Sequence, residues 1–280
     1  MFAPGLLSGR RALITGGGTG LGRAIARRYL QLGARIAICG RRLAVLEETA
    51  AALRAEIPGA DIAVYACDIR DAAAVEAMLD TVFAEGAPDI LVNNAAANFL
   101  AQTHRLSARA LDAVLATTLH GAAYCTMGVG RRWIEVGQPG VVLSILTLSA
   151  LQGAAFTVPS AMAKAGVLAM TQSLAVEWGR HGIRLVAIAP GTFPTEAAVA
   201  RLRPGGLDHG DVPMNRAGKH EELTNLAAYL VSKNAGYITG ECVVIDGGRR
   251  YLGGARAGVR EMLGWDDAAW EKQREKTPKK

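Results

Sequence analysis

Aromatic residues are scarce in this chain: Phe, Trp and Tyr together make up 5% of its 280 residues. The core must then be built from Ala, Val, Leu and Ile. Basic residues are scattered rather than interleaved with aromatics, which excludes the usual nucleic-acid surface. Cysteine is also rare. Cys39, Cys67, Cys125 and Cys242 lie far apart and offer no zinc-ligand spacing, so no metal site is expected. Three of them fall in or just after strand-like runs, where a small buried residue belongs. All four are read as reduced and structural, which suits a cytoplasmic protein. No apolar run reaches membrane-spanning length, and Met1–Gly9 is too short and too lightly charged for a secretory signal.

Half of the residues are hydrophobic and a fifth are charged. That is ordinary globular composition, and the length suffices for one domain with a large core. The net charge of +6 suits an anionic small molecule, such as a phosphorylated cofactor or a coenzyme A ester.

Apolar runs alternate with helical stretches nearly throughout. The runs are Arg11–Thr15, Arg35–Cys39, Ile62–Cys67, Ile90–Asn93, Val141–Leu146, Arg184–Ala189 and Cys242–Ile245. Helical spacing marks Arg23–Leu32, Leu43–Ile57, Ala72–Ala84, Ser107–Val136 and Thr157–Gly179. Continuous apolar strands separated by helices predict an α/β fold: a single doubly wound (Rossmann) domain, about seven parallel strands with helices on both faces. The expected domain is 1–248, followed by a charged extension, 249–280. Trp265 and Trp270 suggest a short docked helix in that extension, with Lys276–Lys280 fraying. The Gly/Pro/Thr-rich stretch Gly191–His220 follows a strand's carboxyl end. It is read as a substrate-covering loop, centred on Thr192–Asp211.

The turn Thr15-Gly16-Gly17-Gly18-Thr19-Gly20-Leu21-Gly22 follows the first strand and opens the first helix. Such a turn lets backbone N–H groups approach a pyrophosphate at the positive end of a helix. Gly16 serves the tight turn, Gly20 the close approach and Gly22 the packing of helix on strand. Gly16, Thr19, Gly20 and Leu21 are the turn's candidate contacts. The second strand ends Cys39-Gly40-Arg41-Arg42. An acidic residue there would bind the ribose hydroxyls of NAD. Arg41 and Arg42 instead suit the 2′-phosphate of NADPH. Asp68, with Ile69 beside it, is a candidate for the adenine; a helix N-cap role fits Asp68 as well.

The spacing Thr15-Gly16-x-x-x-Gly20-x-Gly22, then Asn93-Asn94-Ala95-Ala96, then Pro190-Gly191 resembles the short-chain dehydrogenase/reductase family from about Leu7 to Gly248. That resemblance implies that Asn94 and Ala95 line the cofactor's ribose side. It implies that Pro190, Gly191 and Thr192 border the nicotinamide, and that Thr195 holds its phosphate or carboxamide end. Most members carry a Ser, then Tyr-x-x-x-Lys. Here Pro159-Ser160-Ala161-Met162-Ala163-Lys164 keeps the Lys and puts Ser160 at the Tyr position. The family's Ser corresponds to Ser144 or Thr147, and its helix-four Asn to Thr118. Positions 160 and 164 share a helix face and can act together, though Ser160 is also suited to be a small packing residue.

The Ser-x-x-x-Lys variant, with Gly16–Gly22, Val158–Gly166, Leu174-Ala175-x-Glu177-Trp178-Gly179 and Asp246-Gly247-Gly248, is similar to the 2,4-dienoyl-CoA reductase branch. The resemblance implies NADPH-dependent reduction of an enoyl or dienoyl thioester in fatty acid metabolism. Charge would develop on the thioester oxygen, so hydrogen-bond donors are needed more than a phenolic acid. The mitochondrial type of that branch has a Tyr and an Asn where this chain has Ser149 and His120. His120 is read either as a donor or proton relay or as a helix histidine satisfied by a carbonyl. Ser149 is read as a donor or as a plain loop serine. The candidate catalytic set is therefore Lys164, Ser160, Ser149 and His120. A ketone reductase using water as the proton source and a silent NADPH-binding protein are the competing readings. The family resemblance also implies a homo-oligomer, commonly a tetramer.

Overall fold

The computed structural model describes residues 5–195, 212–252 and 259–275. Seven strands form one parallel sheet: β1 (Arg11–Thr15), β2 (Arg35–Gly40), β3 (Ile62–Ala66), β4 (Ile90–Asn93), β5 (Gly140–Ile145), β6 (Ile183–Pro190) and β7 (Cys242–Ile245). Their order is β3-β2-β1-β4-β5-β6-β7. The doubly wound fold expected from the alternation of apolar runs and helices is thus observed, with strand ends moved by one residue or so.

Both faces of the sheet are buried, which is why its strands read as unbroken apolar runs. Ile14, Ile36, Ile38, Val92 and Leu143 point into one core. That core is closed by α1 (Gly20–Gln31) and α2 (Leu43–Glu56), together with a later helix, His220–Val231. Leu13, Ala37, Leu91, Val142 and Leu185 point into the other, beneath α3 (Ala72–Ala84) and two long helices described next. The order reverses between β1 and β4, and a crevice at the carboxyl ends of these strands is where this architecture binds ligands.

The stretch expected as one helix over Ser107–Val136 has three parts. They are α4 (Ala108–Leu115), one π-helical turn (Ala116–His120) and α5 (Gly121–Glu135). In the π turn the Thr118 hydroxyl accepts from the Ala97 N–H (3.0 Å). Gly121 follows where a Cβ would stand 2.6 Å from Ile69. A short helix, α6 (Ser149–Gln152), precedes α7 (Val158–Trp178), which matches its expected span. The N-cap of α3 is Asp71, whose carboxylate accepts from Ala73 and Ala74. Asp68, the residue read as a possible cap, is left out of that role. Of the expected substrate loop, residues 196–211 lie outside the described residues.

After Asp246-Gly247-Gly248 come three short helices, Arg249–Leu252, Val259–Met262 and Asp267–Glu275. Trp265 and Trp270 pack edge to face on each other, 4.9 Å between centroids. Neither joins a core cluster, and Trp270 is exposed. The two tryptophans expected to dock a helix thus contact each other.

Candidate active site

One cavity of about 450 Å³ runs along the crevice, within the range of ligand pockets. Its first wall is the glycine turn. Gly16 and Gly20 adopt φ of +64° and +54°, where a side chain would be strained. At Gly22 a Cβ would lie 2.4 Å from the Gly16 carbonyl oxygen and 2.5 Å from Asn94 Nδ2. Gly17, not among the expected contacts, would drive a Cβ to 2.4 Å from Ile38 on β2. The turn is braced from β4. The Asn94 and Ala95 N–H groups both donate to Thr15 Oγ1 (3.1 Å each). Asn94 Nδ2 donates to the Thr15 and Gly16 carbonyls (3.0 and 3.2 Å). Asn94 thus spends its amide protons on the shape of the turn. Gly16, Thr19, Gly20, Leu21, Asn94 and Ala95 all line the cavity.

The second wall is the end of β2 and β3. Gly40, Arg41, Arg42, Asp68 and Ile69 line it, joined by Cys39 and Cys67. Arg41 and Arg42 are exposed at the mouth, and no ion pair ties either down among the described residues. The Arg70 guanidinium, hydrogen-bonded to Asp68, holds its carboxyl below the usual range, and Arg41 adds to this. All four cysteines are free. Burial pushes the Cys67 thiol up to about 11, so it stays protonated at neutral pH. Two cysteines read as structural packing therefore also form the cavity surface.

The far end carries the reactive groups. Ser160 and Lys164, one turn apart on α7, both line the cavity and are 3% and 5% exposed. Lys164 Nζ donates to the Ile145 carbonyl (2.5 Å), and burial lowers its pKa to about 8. Of the two candidates for the family's serine, Thr147 lines the cavity. Ser144 is sealed in the sheet, its hydroxyl without a partner among the described residues. Asn98, Thr117 and Thr195 complete this end.

Four residues of the candidate set lie elsewhere. Ser149 is not part of the lining; its hydroxyl is 2.5 Å from Thr147 Oγ1. His120 ends the π turn, exposed, with its ring 6.2 Å from that of Tyr124, and does not line the cavity. Pro190 is buried at the end of β6. Gly191 is needed for packing, since a Cβ would meet the Asp246 backbone at 2.7 Å, and neither Pro190 nor Gly191 lines the cavity. Asn98, Thr117, Cys39 and Cys67 are lining residues that sequence reading missed. For Asn98 the only signal was a third amide a few residues beyond Asn93-Asn94.

A family model described as enoyl-(acyl carrier protein) reductase matches residues 16–250. An uncharacterized oxidoreductase of Caenorhabditis elegans is 45% identical, covering 96% of this chain and 88% of that protein. A probable (3E)-enoyl-CoA-producing 2,4-dienoyl-CoA reductase of the same organism is 38% identical, covering 95% and 88%. A proposed 2-deoxy-D-gluconate 3-dehydrogenase from Agrobacterium tumefaciens, solved with bound NADP, superposes with a TM-score of 0.80 at 31% identity, covering 89% of this chain and all of that one. With the glycine turn, the Asn94 brace and the buried Lys164 in one crevice of a seven-stranded parallel sheet, the chain belongs to the short-chain dehydrogenase/reductase family of oxidoreductases.

Proposed function

We propose that this protein is an NADPH-dependent reductase of conjugated enoyl or 2,4-dienoyl thioesters of coenzyme A. The observation that carries the reading is the far end of the cavity. Ser160, Thr147, Asn98 and the buried Lys164 meet there, and no phenol lines the cavity among the described residues. A ketone reductase must place a proton on an alkoxide, for which a serine hydroxyl is a poor acid. A conjugated thioester attacked at its far end gathers charge on a carbonyl oxygen, which needs only donors.

The residues fit the cofactor. The left-handed glycines leave room where Cβ atoms would stand, so backbone N–H groups of the turn and of α1 can face a pyrophosphate. Arg41 and Arg42 would take the 2′-phosphate, Asp68 and Ile69 the adenine side, and Lys164 the nicotinamide ribose. Thr195 borders Gly20 at 3.3 Å from its virtual Cβ and would close the nicotinamide end. When bound, the dihydronicotinamide supplies hydride. Lys164 holds positive charge beside the developing enolate, and Ser160 and Thr147 donate to it.

The reading includes a cytoplasmic homotetramer with its catalytic unit in residues 1–248. It is supported by four free cysteines and by the exposed Met127, Met162 and Val176 on α5 and α7. No helix among the described residues is long and apolar enough to cross a membrane. The test is NADPH oxidation with a 2,4-dienoyl-CoA, set beside 3-oxoacyl-CoA and simple ketones. Turnover confined to the conjugated esters is expected. Tight NADPH binding with no turnover of any conjugated ester would overturn the reading.

A further inference from the structure

We infer that His220 is a positioning residue for hydride transfer: its ring N–H holds the Pro194 carbonyl and so sets Thr195 at the nicotinamide end of the cavity. The inference rests on the reading of the crevice as a nicotinamide cofactor site, and it names the residue that fixes that end of it.

The segment that leaves β6, residues 192–195, is tied residue by residue to residues 218–220. The Gly218 N–H donates to the Thr192 carbonyl (2.9 Å). The buried Phe193 ring packs on Gly218, where a Cβ would stand 2.4 Å from it. His220 Nε2 lies 2.7 Å from the Pro194 carbonyl oxygen, 26 residues away in sequence. A carbonyl only accepts, so this bond also assigns a ring proton to Nε2. Thr195 comes next. It lines the cavity, and its Cγ2 stands 3.3 Å from where a Cβ on Gly20 would be. Arg249 adds a bond to the Thr192 hydroxyl (3.2 Å), but the tie of His220 stands one residue before Thr195.

His220 stands on a firm base. It is the first residue of the helix His220–Val231. In the first turn Glu222 accepts from the Lys219 N–H (2.7 Å) and from the Arg216 guanidinium (2.9 and 2.7 Å), which fixes the start of the helix. Further along, Asn225 Oδ1 accepts from Arg28 Nε (2.9 Å), and the Ala227 carbonyl accepts from the Tyr29 hydroxyl (3.2 Å). Arg28 and Tyr29 belong to α1, the helix that the glycine turn opens. The two ends of the cofactor site are therefore joined through one helix. The turn and α1 face the pyrophosphate, α1 carries the helix His220–Val231, and His220 holds the backbone that ends in Thr195. Removing the His220 donor loosens Thr195 from Gly20, and the reacting end of the cofactor loses its seat. A misplacement of about 1 Å that starts far from the chemistry can cost about 100-fold in rate, so one donor at this distance suffices to affect hydride transfer.

The experiment compares wild type with His220→Phe, His220→Ala and His220→Gln. The first two remove the donor and differ in volume, so a loss common to both belongs to the missing N–H. His220→Gln keeps an N–H of similar reach. Two ligands are titrated into each protein: NADPH, and adenosine 2′,5′-bisphosphate, which has adenine and phosphates but no nicotinamide. His220→Phe and His220→Ala are expected to weaken NADPH by about 3- to 10-fold, as for one lost hydrogen bond, and to leave the bisphosphate within about twofold of wild type. With a 2,4-dienoyl-CoA their kcat is expected to fall on the order of 10-fold at an unchanged KM for the ester. His220→Gln is expected to restore NADPH affinity and kcat. Unchanged NADPH affinity in His220→Phe and His220→Ala, or equal weakening of both ligands, overturns the positioning role. A wild type that reduces no conjugated ester overturns the thioester reading alone, and the two titrations still decide the role of His220. A wild type that prefers NADH overturns the 2′-phosphate reading alone, and NADH and ADP then replace the two ligands. A wild type that binds neither NADPH nor NADH overturns the cofactor reading, and this inference with it.

Discussion

Lys164 shows how burial sets the chemistry of one group. Its ammonium lies in the wall of a cavity, 5% exposed, donating to the Ile145 carbonyl, and desolvation lowers its pKa from 10.5 to about 8. Below pH 8 both folded and unfolded chains hold the proton, and the folded state bears the full cost of burying it. Between pH 8 and 10.5 the folded chain releases the proton first, so stability rises with pH. Relative to Lys164→Met, the apo protein should gain roughly 3.5 kcal/mol across that window in denaturant melts, the 2.5 pH units of the shift at about 1.4 kcal/mol each. A flat difference would mean that the ammonium is not desolvated. Arg41 and Arg42 make the opposite case, exposed cations with no ion pair to break among the described residues. Replacing both with Ala should weaken NADPH by about 10- to 100-fold and leave NADH nearly unchanged, since each charge-assisted bond to a phosphate is worth about 1.5–3 kcal/mol. Equal loss for both nucleotides in a titration would show that the pair does not read the 2′-phosphate.

The glycine turn works as one element, and its five glycines are not equivalent. A Cβ at Gly22 meets the Gly16 carbonyl oxygen at 2.4 Å, which is backbone and cannot step aside. At Gly18 the nearest atom is the Leu46 side-chain tip, at 3.1 Å, and a rotamer change relieves it. Gly22→Ala should therefore cost about 1–3 kcal/mol and most of the cofactor affinity, whereas Gly18→Ala should cost under about 1 kcal/mol. Thermal melts with and without NADPH separate the two, and equal losses would refute this division of roles. This element was legible in the sequence because its chemistry is local: glycine, strand and helix lie in one run. The strands and α7 were legible for the same reason. The π turn was not, because Thr118 is drawn to Ala97 and Gly121 to Ile69 across the fold. Nor was the placing of His120, Ser149 and Asn98. A motif alignment gives a residue its position along a helix or loop. It does not say which way a helix with an inserted residue turns its face, nor which of Ser144 and Thr147 clears the sheet.

At the scale of the molecule, the same topology that brings β1 and β4 together gathers groups separated by up to 179 residues, from Gly16 to Thr195, around one crevice. The charge of the chain is spread more widely, as a formal +6, while both proposed ligands are polyanions. A uniform positive field raises encounter rates and is screened by salt, whose Debye length is about 10 Å at 0.1 M. Groups already sealed in the cavity, such as Lys164, feel little of that screening. Two contributions to NADPH capture should then separate. Raising ionic strength from about 0.05 to 0.5 M should raise the KM for NADPH several-fold with kcat nearly constant. In Arg41→Ala/Arg42→Ala the slope should shrink to what the remaining net charge supplies, because the exposed pair at the mouth carries most of the screened attraction. A steady-state series across both salt and genotype measures this directly. A slope unchanged by the double substitution would assign steering to the overall charge, and a KM independent of salt in both proteins would show that capture depends on the buried groups alone.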